Sequence, residues 1–504
     1  MKDEAGVVVI GTGPAGAAAA WTLYRAGIPV TVLEAGTRSS ARGLTLRAPG
    51  LTVFRQRRPL PAGSPPGAPE NGSGAYWFHE LSAGGLSNHW TCAVPRFDPQ
   101  DFTDGASIDE KYRWPIGYDD LVEHYPPMER LLRIGGAGED VEHLPGGVIS
   151  SRVRLAPDWQ PLVEQARIRG HGLTTLPLAY GGDWTLTRSG TPFNSFVRML
   201  EPIRESSRFR ILFGALALRL EWSGHRKRVT RLVYRDVASG TERAIAADAF
   251  VVAAGALSST RLLLESDSAD FPHGLGNAEG LLGRYLHDHP LGKIAVELGR
   301  PLSIHPPTYL TRGPYDDASR LRGVATILWS GTGERLRCWG ALTPDKSTSI
   351  GFNFFGMFPP DERSGVKLAE DRRDESGARA LHIDLRFDES VEGTLLRGRD
   401  RLLEILEAAG CSPSVKGWLL EKPGTSVHYG GTVRMHRSPR FGMLDGWNRL
   451  HAVPNVQVVD ASAFTTGPEK NPTLTAMAIA ARASLRLAAD LRAGGRVVAD
   501  AVSA

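Results

Sequence analysis

The stretch that decides the fold is GVVVIGTGPAGAAAAWTLYRAGIPVTVLEAG, residues 6–36. Its short apolar run, GVVVI, predicts a buried parallel strand, and the following segment predicts a helix that leads into a second strand, PVTVLE. Gly11, Gly13 and Gly16 complete a G-x-G-x-x-G motif between the first strand and the helix. The first glycine permits the tight turn, the second lets the backbone approach a pyrophosphate, and the third lets helix and strand pack closely. The unit therefore predicts a dinucleotide-binding domain.

An acidic residue supports this prediction. Glu34 lies at the end of the second strand, 23 residues after Gly11. A carboxylate there accepts hydrogen bonds from the adenosine ribose hydroxyls and repels a 2′-phosphate. The free N–H groups and the dipole at the start of the helix favour phosphate binding. The motif alone does not separate FAD from NAD.

Composition excludes several classes of function. The chain has 504 residues, of which 41% are hydrophobic and 23% charged, an ordinary globular composition. The net charge of +4, from 59 basic and 55 acidic residues, comes without a basic run, so a nucleic-acid partner is not expected. The three cysteines, Cys92, Cys338 and Cys411, are far apart and odd in number, so neither a disulfide framework nor a metal site is expected.

Membrane association is not expected either. No segment reaches about 18 continuous apolar residues. The chain runs from MKDEAG directly into the first strand without the pattern of a signal peptide. The sequence therefore predicts a cytoplasmic protein and does not indicate an oligomeric state.

Further elements follow from the apolar patterns. Residues 38–75, which are rich in Pro, Gly, Ser and Arg, and residues 343–365 are the predicted cover loops over the site. The other predicted elements are strands within 208–222, a strand, turn and helix over 247–266, an antiparallel sheet within 323–390, a buried strand near the end of 445–464, a helix over 117–134 that breaks at Pro126–Pro127, and a long C-terminal helix.

Two segments near the C-terminal end carry candidate chemistry. The stretch HYGGTVRMH, His428 to His436, has two histidines around a glycine pair. Asn471 and Pro472 precede a strong helix, where Asn is an ideal N-cap and Pro an ideal first residue. Asn471 is therefore either a cap alone or a residue at a helix N-terminus that points at a bound cofactor or substrate.

These pieces together resemble the glucose–methanol–choline (GMC) family of FAD-dependent alcohol oxidoreductases. The matching pieces, in the family's order, are GTGPAG with Glu34, GGLSNHW, VVAAGALSSTRLLL, LGRYLHDHP, HYGGTVRM, and VQVVDASAF followed by NPTLTAMAIA. They span nearly the whole chain. The text AGGLSNHWTCAVPRFDP is most similar to the pyranose oxidase branch, which acts on sugar rings.

The resemblance implies an α/β fold of two domains. A Rossmann-like FAD-binding domain is expected over residues 1–95, 205–295 and 426–504, and a substrate domain with a mostly antiparallel sheet over residues 96–204 and 296–425. The residues expected to bind FAD are Gly11, Gly13, Gly16, Glu34, Ala35, Gly84, Gly85, Ser87, Asn88, His89, Thr91, Ala215, Ala254, Asp460, Ala461, Pro472 and Thr473.

The resemblance also implies the catalytic pair, His428 and Asn471. A neutral imidazole can take the hydroxyl proton while flavin N5 takes the hydride. Asn471 would hold the substrate oxygen so that its C–H bond faces the flavin. The glycines beside His428 are expected to allow close approach to flavin and substrate.

Several residues keep two interpretations. His89 is a covalent tether to the flavin, a non-covalent wall, or a packed loop residue, and Thr91 is implied to lie near flavin N5. Asp460 contacts the flavin side of the site or caps the next turn, with the contact favoured. Phe354 or Phe355 either belongs to the core or lines a sugar site.

The remaining histidines are expected to be structural. His436 lies beside Arg434 and Arg437, which predicts an exposed, cationic loop end. His287 and His289 flank Asp288 like metal ligands, but side chains two apart in an extended segment point in opposite directions. A structural loop at the crossover between domains is therefore expected there.

The expected reaction is oxidation of a secondary hydroxyl, at C2 or C3 of a pyranose sugar or glycoside, to a ketone. The electrons would pass from FAD to dioxygen or a quinone-type acceptor. One alternative is oxidation of an aminoglycoside or another specialised-metabolite alcohol. Alternatives of other classes are a non-redox flavoprotein lyase on the same scaffold and a nicotinamide-dependent enzyme.

Overall fold

The computed structural model describes residues 4–36, 43–48, 51–56, 70–71, 74–78, 80–179, 185–187, 193–303, 307–313, 324–330, 346–374 and 379–494. Its strands are β1 (Glu4–Ile10), β2 (Val30–Glu34), β3 (Gly43–Ala48), β4 (Leu51–Gln56), β5 (Glu70–Asn71), β6 (Gly135–Gly136), β7 (Ser151–Arg152), β8 (Leu173–Thr175), β9 (Thr185–Thr187), β10 (Phe209–Phe213), β11 (Ala215–Ser223), β12 (Arg228–Asp236), β13 (Glu242–Val252), β14 (Leu291–Ser303), β15 (Thr308–Leu310), β16 (Val324–Ser330), β17 (Lys346–Gly356), β18 (Gly365–Arg373), β19 (Arg379–Asp384), β20 (Ser414–Leu420), β21 (Arg449–Leu450) and β22 (Val453–Val458). Its α-helices are α1 (Pro14–Arg25), α2 (Pro99–Thr103), α3 (Tyr125–Leu132), α4 (Gln160–Ile168), α5 (Ala256–Leu264), α6 (Ser390–Ala408) and α7 (Thr473–Arg492).

The first large sheet is built on the N-terminal βαβ unit. Its order is β10-β2-β1-β13-β12-β11, and β22 also pairs with β13. Strands β10, β2, β1, β13 and β22 run parallel to one another, whereas β12 and β11 continue the sheet antiparallel. The side chains of Val7, Val8 and Val9 are completely buried. Burial of both faces explains why this strand is a continuous apolar run.

Strand β13 divides this sheet into two parts. Its first half pairs antiparallel with β12, and its last three residues, 250–252, pair parallel with β22. The carboxyl ends of β10, β2, β1, β13 and β22 therefore meet at one edge of the sheet. Ligands of open parallel sheets bind outside that edge.

A second sheet has the order β20-β14-β17-β16-β15-β8, and each neighbouring pair is antiparallel. Helix α6 covers one face, where Leu395 and Leu402 share a buried cluster with Phe352 and Phe354 of β17. Successive side chains of a strand point to opposite faces. Phe355 accordingly lies on the other face and is half-buried.

The expected α/β fold, with a Rossmann-like sheet and an antiparallel sheet, is confirmed. The strands predicted within 208–222, the strand and helix over 247–266, the strand near 458 and the C-terminal helix are present. The domain boundaries stay a prediction. Among the described helices, none is long and apolar enough to cross a membrane.

Three local predictions were wrong. Residues 346–356 form β17 rather than part of a cover loop, because their alternating apolar pattern pairs them with β14 and β16, in agreement with the antiparallel sheet predicted within 323–390. Residues 43–48 and 51–56 form the antiparallel pair β3 and β4, and most of the rest of 38–75 lies outside the described residues. Helix α3 begins at Tyr125 and carries the prolines in its first turn, where the missing N–H costs nothing.

Candidate active site

The predicted cofactor residues collect at the carboxyl edge of the parallel strands. Gly11, Gly13 and Gly16 follow β1, Glu34 and Ala35 end β2, Ala215 lies just past β10, Ala254 follows β13, and Asp460 and Ala461 follow β22. Backbone hydrogen bonds join these turns, for example from Gly11 N to Leu33 O at 2.8 Å and from Ala253 N to Ile10 O at 2.9 Å. The sheet topology thus brings residues from the whole length of the chain to one edge.

The three glycines of the motif have separate roles. A Cβ on Gly16 would lie 2.2 Å from the carbonyl oxygen of Gly11, so a side chain there is excluded by the backbone itself. Gly11 has φ of +103°, which L side chains rarely adopt, and its Cβ would lie 2.5 Å from Ala253 O. A Cβ on Gly13 would meet no described protein atom within 4 Å. Gly13 therefore faces open space at the start of α1.

Glu34 is fixed at the end of β2. Its carboxylate is buried, accepts a hydrogen bond from Gly36 N at 2.8 Å, and accepts a second from the hydroxyl of Thr12. Burial raises the pKa of Glu34, although these hydrogen bonds oppose the shift. Each carboxylate oxygen keeps capacity for a second donor, such as a ribose hydroxyl.

The loop of Gly84, Gly85, Ser87 and Asn88 packs directly on the glycine turn. Gly84 N donates to Thr12 Oγ1 at 2.9 Å, and the Cβ position of Gly85 lies 3.4 Å from Gly13 Cα. The side chains of Ser87 and Asn88 are buried and bond within the loop, as in Ser87 Oγ to Gly84 O at 2.6 Å. In this structure the two side chains hold the loop rather than face open space.

Sequence reasoning missed two residues that support this loop. Asn194 Nδ2 donates to Asn88 Oδ1 at 2.7 Å, and Ser195 Oγ donates to Thr12 O at 2.7 Å. Both side chains are buried. The polar pair inside PFNSF was the available signal, but its partners lie more than 100 residues away.

His89 forms a hydrogen bond with a residue that sequence reasoning also missed. His89 Nε2 lies 2.5 Å from Glu80 Oε2, and both side chains are largely buried. Its Nδ1 is buried and has no hydrogen-bond partner among the described residues, while its ring packs edge-on against Phe78. Thr91, two residues on, is exposed. The proximity of Thr91 to the flavin stays a prediction.

Asp460 occupies the capping position that was the alternative interpretation. Its Oδ2 accepts from Gly255 N at 3.0 Å and from Ser259 Oγ at 2.5 Å. Its Oδ1 accepts from the amide and the hydroxyl of Ser462, at 2.9 and 2.5 Å, and so caps a short 3₁₀ turn. Both oxygens are taken by the protein. A contact of Asp460 with the cofactor stays a prediction.

The predicted catalytic pair comes together. Asn471 Nδ2 lies 3.1 Å from His428 Nε2, although the residues are 43 positions apart. An amide nitrogen only donates, so Nε2 of neutral His428 accepts and carries the lone pair. The expected N-cap role of Asn471 was wrong, because α7 starts at Thr473 with Pro472 as its N-cap and no side chain caps it. The side chain of Asn471 instead serves His428.

His428 lies in a mixed aromatic and imidazole environment. Its ring centroid is 4.9 Å from that of His289 and 6.1 Å from that of Phe355. Burial, and to a smaller extent His289, lower the pKa of His428 well below its ordinary value. Burial likewise lowers the pKa of His289 to about 4. His428 is therefore a neutral base at pH 7.

The glycines beside His428 pack against a neighbouring segment, and their expected approach to flavin and substrate stays a prediction. A Cβ on Gly430 would lie 2.6 Å from His287 Nε2, and one on Gly431, at φ of +86°, would lie 2.3 Å from Tyr285 O. Their small size lets the segment pack against His287 and the chain beside it. His287 N and Gly430 O form a backbone hydrogen bond of 3.1 Å.

His436 has structural contacts, but its surroundings differ from the expectation. Its side chain is 2% exposed, its Nδ1 accepts from Ser438 N at 2.9 Å, and its Nε2 lies 3.0 Å from Glu110 O. Arg434 is also buried and stacks on Tyr285 at 3.8 Å. The prediction of an exposed loop end was wrong, because the arginine finds carbonyl and aromatic partners inside the protein.

A buried charge cluster holds the chain before Asn471. Lys470 is fully buried, and its Nζ lies 2.9 Å from Asp101, 3.0 Å from Glu469 and 3.3 Å from Asp98. Arg312 adds ion pairs to the same carboxylates, for example to Asp101 at 3.0 Å. Buried charges are stable only when paired in this way. The cluster therefore fixes the backbone position from which Asn471 reaches His428.

No group of three His, Cys, Asp or Glu side chains within the described ranges is arranged to hold a metal ion. His287 and His289 are both buried, and each uses Nδ1 toward a backbone carbonyl, of Tyr285 and Gly356 respectively. The placement of His289 beside His428 shows that the HDHP segment reaches the candidate base.

Comparison with known proteins identifies the family. Residues 178–291 and 360–480 match two family models described as GMC oxidoreductase, and residues 9–59 match an NAD(P)-binding Rossmann-like domain. The chain belongs to the GMC oxidoreductases, and it is an oxidoreductase of the class that acts on alcohol donors.

Three relatives illustrate the range of that class. The 2-methyl-1,2-propanediol dehydrogenase of Mycolicibacterium austroafricanum is 28% identical and aligns with 95% of this chain and 94% of its own. Paromamine 6′-oxidase of Streptomyces fradiae is 28% identical, with 96% and 91% covered. C-glycoside 3-oxidase of Arthrobacter globiformis is 25% identical, with 81% and 74% covered.

The fold has matching solved structures. A fungal aryl-alcohol oxidase superposes with a TM-score of 0.69 at 12% identity and covers 98% of this chain and 100% of its own. Pyridoxine 4-oxidase from Mesorbium loti superposes with a TM-score of 0.61 at 20% identity, with 96% and 99% covered. At these identities the likeness shows the fold.

The residues present fit FAD, which membership of the family implies. Gly13 leaves the space that a Cβ would fill at the start of α1, where free N–H groups favour a pyrophosphate. Glu34 offers carboxylate oxygens at the ribose position. His428 and Asn471 project from loops attached to the same edge of the sheet.

Proposed function

We propose that this chain uses FAD to oxidise a secondary hydroxyl of a pyranose sugar or glycoside, at C2 or C3, to a keto-sugar. The observation that carries the proposal is the contact between His428 Nε2 and Asn471 Nδ2 at 3.1 Å. It supplies a neutral base and an amide donor at one point, which is what the removal of a hydroxyl proton requires.

His428 is the proposed base. Its Nε2 lone pair accepts from Asn471 Nδ2 in this structure and is proposed to take the proton of the substrate hydroxyl once that amide turns to the substrate oxygen. The lowered pKa of His428 keeps this nitrogen unprotonated at neutral pH. Bound FAD supplies the acceptor for the hydride that leaves the carbon to which this hydroxyl is attached. The Asn471 amide is proposed to donate to the substrate oxygen. This hydrogen bond would hold the C–H bond of the carbon that carries the hydroxyl in one orientation.

Phe355 supports a sugar as the substrate. Its ring is half-buried beside His428, on the face of β17 opposite Phe354, which is fully buried in the core. The C–H face of a pyranose packs well on an aromatic ring. C-glycoside 3-oxidase is among the relatives, and it supports a glycoside rather than only a free sugar.

A second candidate substrate is an aminoglycoside alcohol. Paromamine 6′-oxidase aligns at 28% identity over almost the whole chain, a longer match than that with C-glycoside 3-oxidase. An amino sugar also presents a pyranose ring to Phe355 and one of its hydroxyls to His428, so the two candidates differ in charge and in which hydroxyl is oxidised.

The flavin linkage and the electron acceptor belong to the proposal as well. The buried Nδ1 of His89 has no hydrogen-bond partner within the part of the chain that the structure describes, which leaves one ring nitrogen for the cofactor while Glu80 contacts the other. Attachment of FAD through His89 predicts a flavin that stays with the chain in denaturant. Dioxygen or a quinone-type acceptor is proposed to reoxidise the flavin, and location in the cytoplasm stays a prediction.

Anaerobic reduction of the flavin tests the substrate class. The purified protein is mixed without oxygen with free sugars, O- and C-glycosides and aminoglycosides, and the flavin absorbance is followed while the products are mapped. Bleaching by pyranoses or glycosides with a C2 or C3 ketone as product supports the proposal. Bleaching by aminoglycosides alone selects the second candidate, and bleaching by neither class contradicts both.

A further inference from the structure

The residue before the proposed base has an unusual backbone conformation. Val427 has φ of +58°, in the left-handed region. A side chain branched at Cβ is a genuine outlier there, and such residues persist only where the surroundings determine them. Because Val427 directly precedes His428, its conformation sets the direction in which the imidazole leaves the chain.

Asp288 supplies the surroundings that hold this conformation. Its side chain is 4% exposed, and its Oδ1 accepts a hydrogen bond from His428 N at 2.7 Å. Burial raises the pKa of Asp288 to about 7, and the nearby backbone N–H groups of His428, His289, Ser426 and Val427 oppose that rise because they favour the charged form. His428 N is thus hydrogen-bonded to one oxygen of a buried carboxyl group, and the other oxygen, Oδ2, has no hydrogen-bond partner among the described residues.

Further contacts join the same two segments. Ser426 Oγ donates to His289 O at 2.9 Å, before the turn. On the C-terminal side of Val427, His287 and Gly430 exchange backbone hydrogen bonds of 3.1 and 3.0 Å. The segment 287–289 thus forms hydrogen bonds with the chain on both sides of Val427. The carboxyl group of Asp288 lies between these two sets of hydrogen bonds.

We propose that Asp288 is a positioning residue. Its carboxylate keeps the backbone of Val427 in the left-handed conformation and thereby directs the imidazole of His428 toward Asn471. The proposal rests on the proposed role of His428 as base. Asp288 contacts the backbone of His428, whereas the side chain of Asn471 contacts its ring. Without the carboxylate, the backbone N–H groups of the left-handed turn lose the negative charge that they face, and the turn relaxes toward an ordinary conformation that withdraws the imidazole.

The test compares Asp288→Asn with two double variants of the holoenzyme. Asp288→Asn keeps one acceptor oxygen but removes the negative charge and replaces the other oxygen with an NH₂ group that faces backbone N–H groups, and we expect the limiting rate of anaerobic flavin reduction to fall at least 30-fold. Adding Val427→Gly removes the Cβ that disfavours the left-handed turn, so the rate recovers about tenfold. Adding Val427→Ala keeps a Cβ and gives no such recovery. Flavin content and the apparent substrate Kd are measured alongside, and both are expected to stay within about threefold.

Two outcomes overturn the proposal: an unchanged rate in Asp288→Asn, or equal rates in the glycine and alanine double variants. A crystal structure of Asp288→Asn gives a readout that needs no substrate. Movement of the His428 ring away from Asn471 is expected, and a ring still near 3.1 Å from Asn471 contradicts the role of Asp288. If His428→Ala reduces flavin normally while the ring moves in Asp288→Asn, the function of His428 has failed and the positioning has not.

Discussion

The glycine motif allows cofactor binding to be separated from folding by two neighbouring substitutions. Gly13→Ala places a methyl group in open space, at φ of −59° and ψ of 174°, which alanine adopts without strain. Gly16→Ala places a methyl group 2.2 Å from Gly11 O and 3.3 Å from Ala253 Cβ. Both changes add one carbon to the same turn, so each is the control for the other.

The expected magnitudes follow from these contacts. Gly13→Ala should leave the apoprotein as stable as the wild type or raise its free energy of unfolding by about 0.4–1 kcal/mol, because alanine restricts the unfolded chain. It should weaken FAD binding by about 1–3 kcal/mol, the usual cost of overpacking, or roughly 5- to 150-fold in Kd. Gly16→Ala should destabilise the apoprotein by about 3 kcal/mol, because the opposing atoms are backbone.

The assay is flavin titration of the apoprotein together with its denaturant unfolding. If the flavin resists extraction, both changes are made in a His89→Ala background. The reasoning is refuted if Gly13→Ala binds FAD as tightly as the wild type, or if it destabilises the apoprotein as much as Gly16→Ala does.

Three further predictions follow from the site. A base must be neutral, and the pKa of His428 is lowered well below its ordinary value. The rate of flavin reduction should therefore decline only at pH values well below 6.5. A decline of that rate centred at or above pH 6.5 would contradict the buried environment of His428. Phe355→Leu should raise the apparent Kd for the sugar about tenfold with little change in the limiting reduction rate, and equal effects on both quantities would show that the ring has another role. Lys470→Met should lower the free energy of unfolding by about 3–5 kcal/mol, because it leaves Asp101 less compensated; denaturant curves that differ by less than about 1 kcal/mol would refute that estimate.

Local sequence patterns were sufficient for the Rossmann-like unit. The apolar run before Gly11 and the acid at Glu34 both lie within residues 6–36. Their structure is set by residues close in sequence, so periodicity and spacing are enough to predict it. The pairing of His428 with Asn471 came from the family resemblance, since no local pattern joins residues 43 positions apart. The same resemblance did not indicate which side chains would hold that pair.

Long-range contacts account for what the sequence did not show. Asp288 meets the amide of His428 across 140 positions, and Ser195 meets Thr12 across 183. Local propensity favoured the interpretation of Asn471 as a cap alone, yet its side chain is directed to His428 instead. At Asn471 the local rule failed where the residue contacts the candidate base, as expected when function sets a residue's conformation.

The central claim is that His428 is the base of an alcohol oxidation. The most direct measurement is the limiting rate of anaerobic flavin reduction in His428→Ala, with the alcohol that best reduces the wild type. The account predicts a rate lower by about 10²–10⁴-fold, with flavin content unchanged. A variant that retains its flavin and is reduced at the wild-type rate would contradict it.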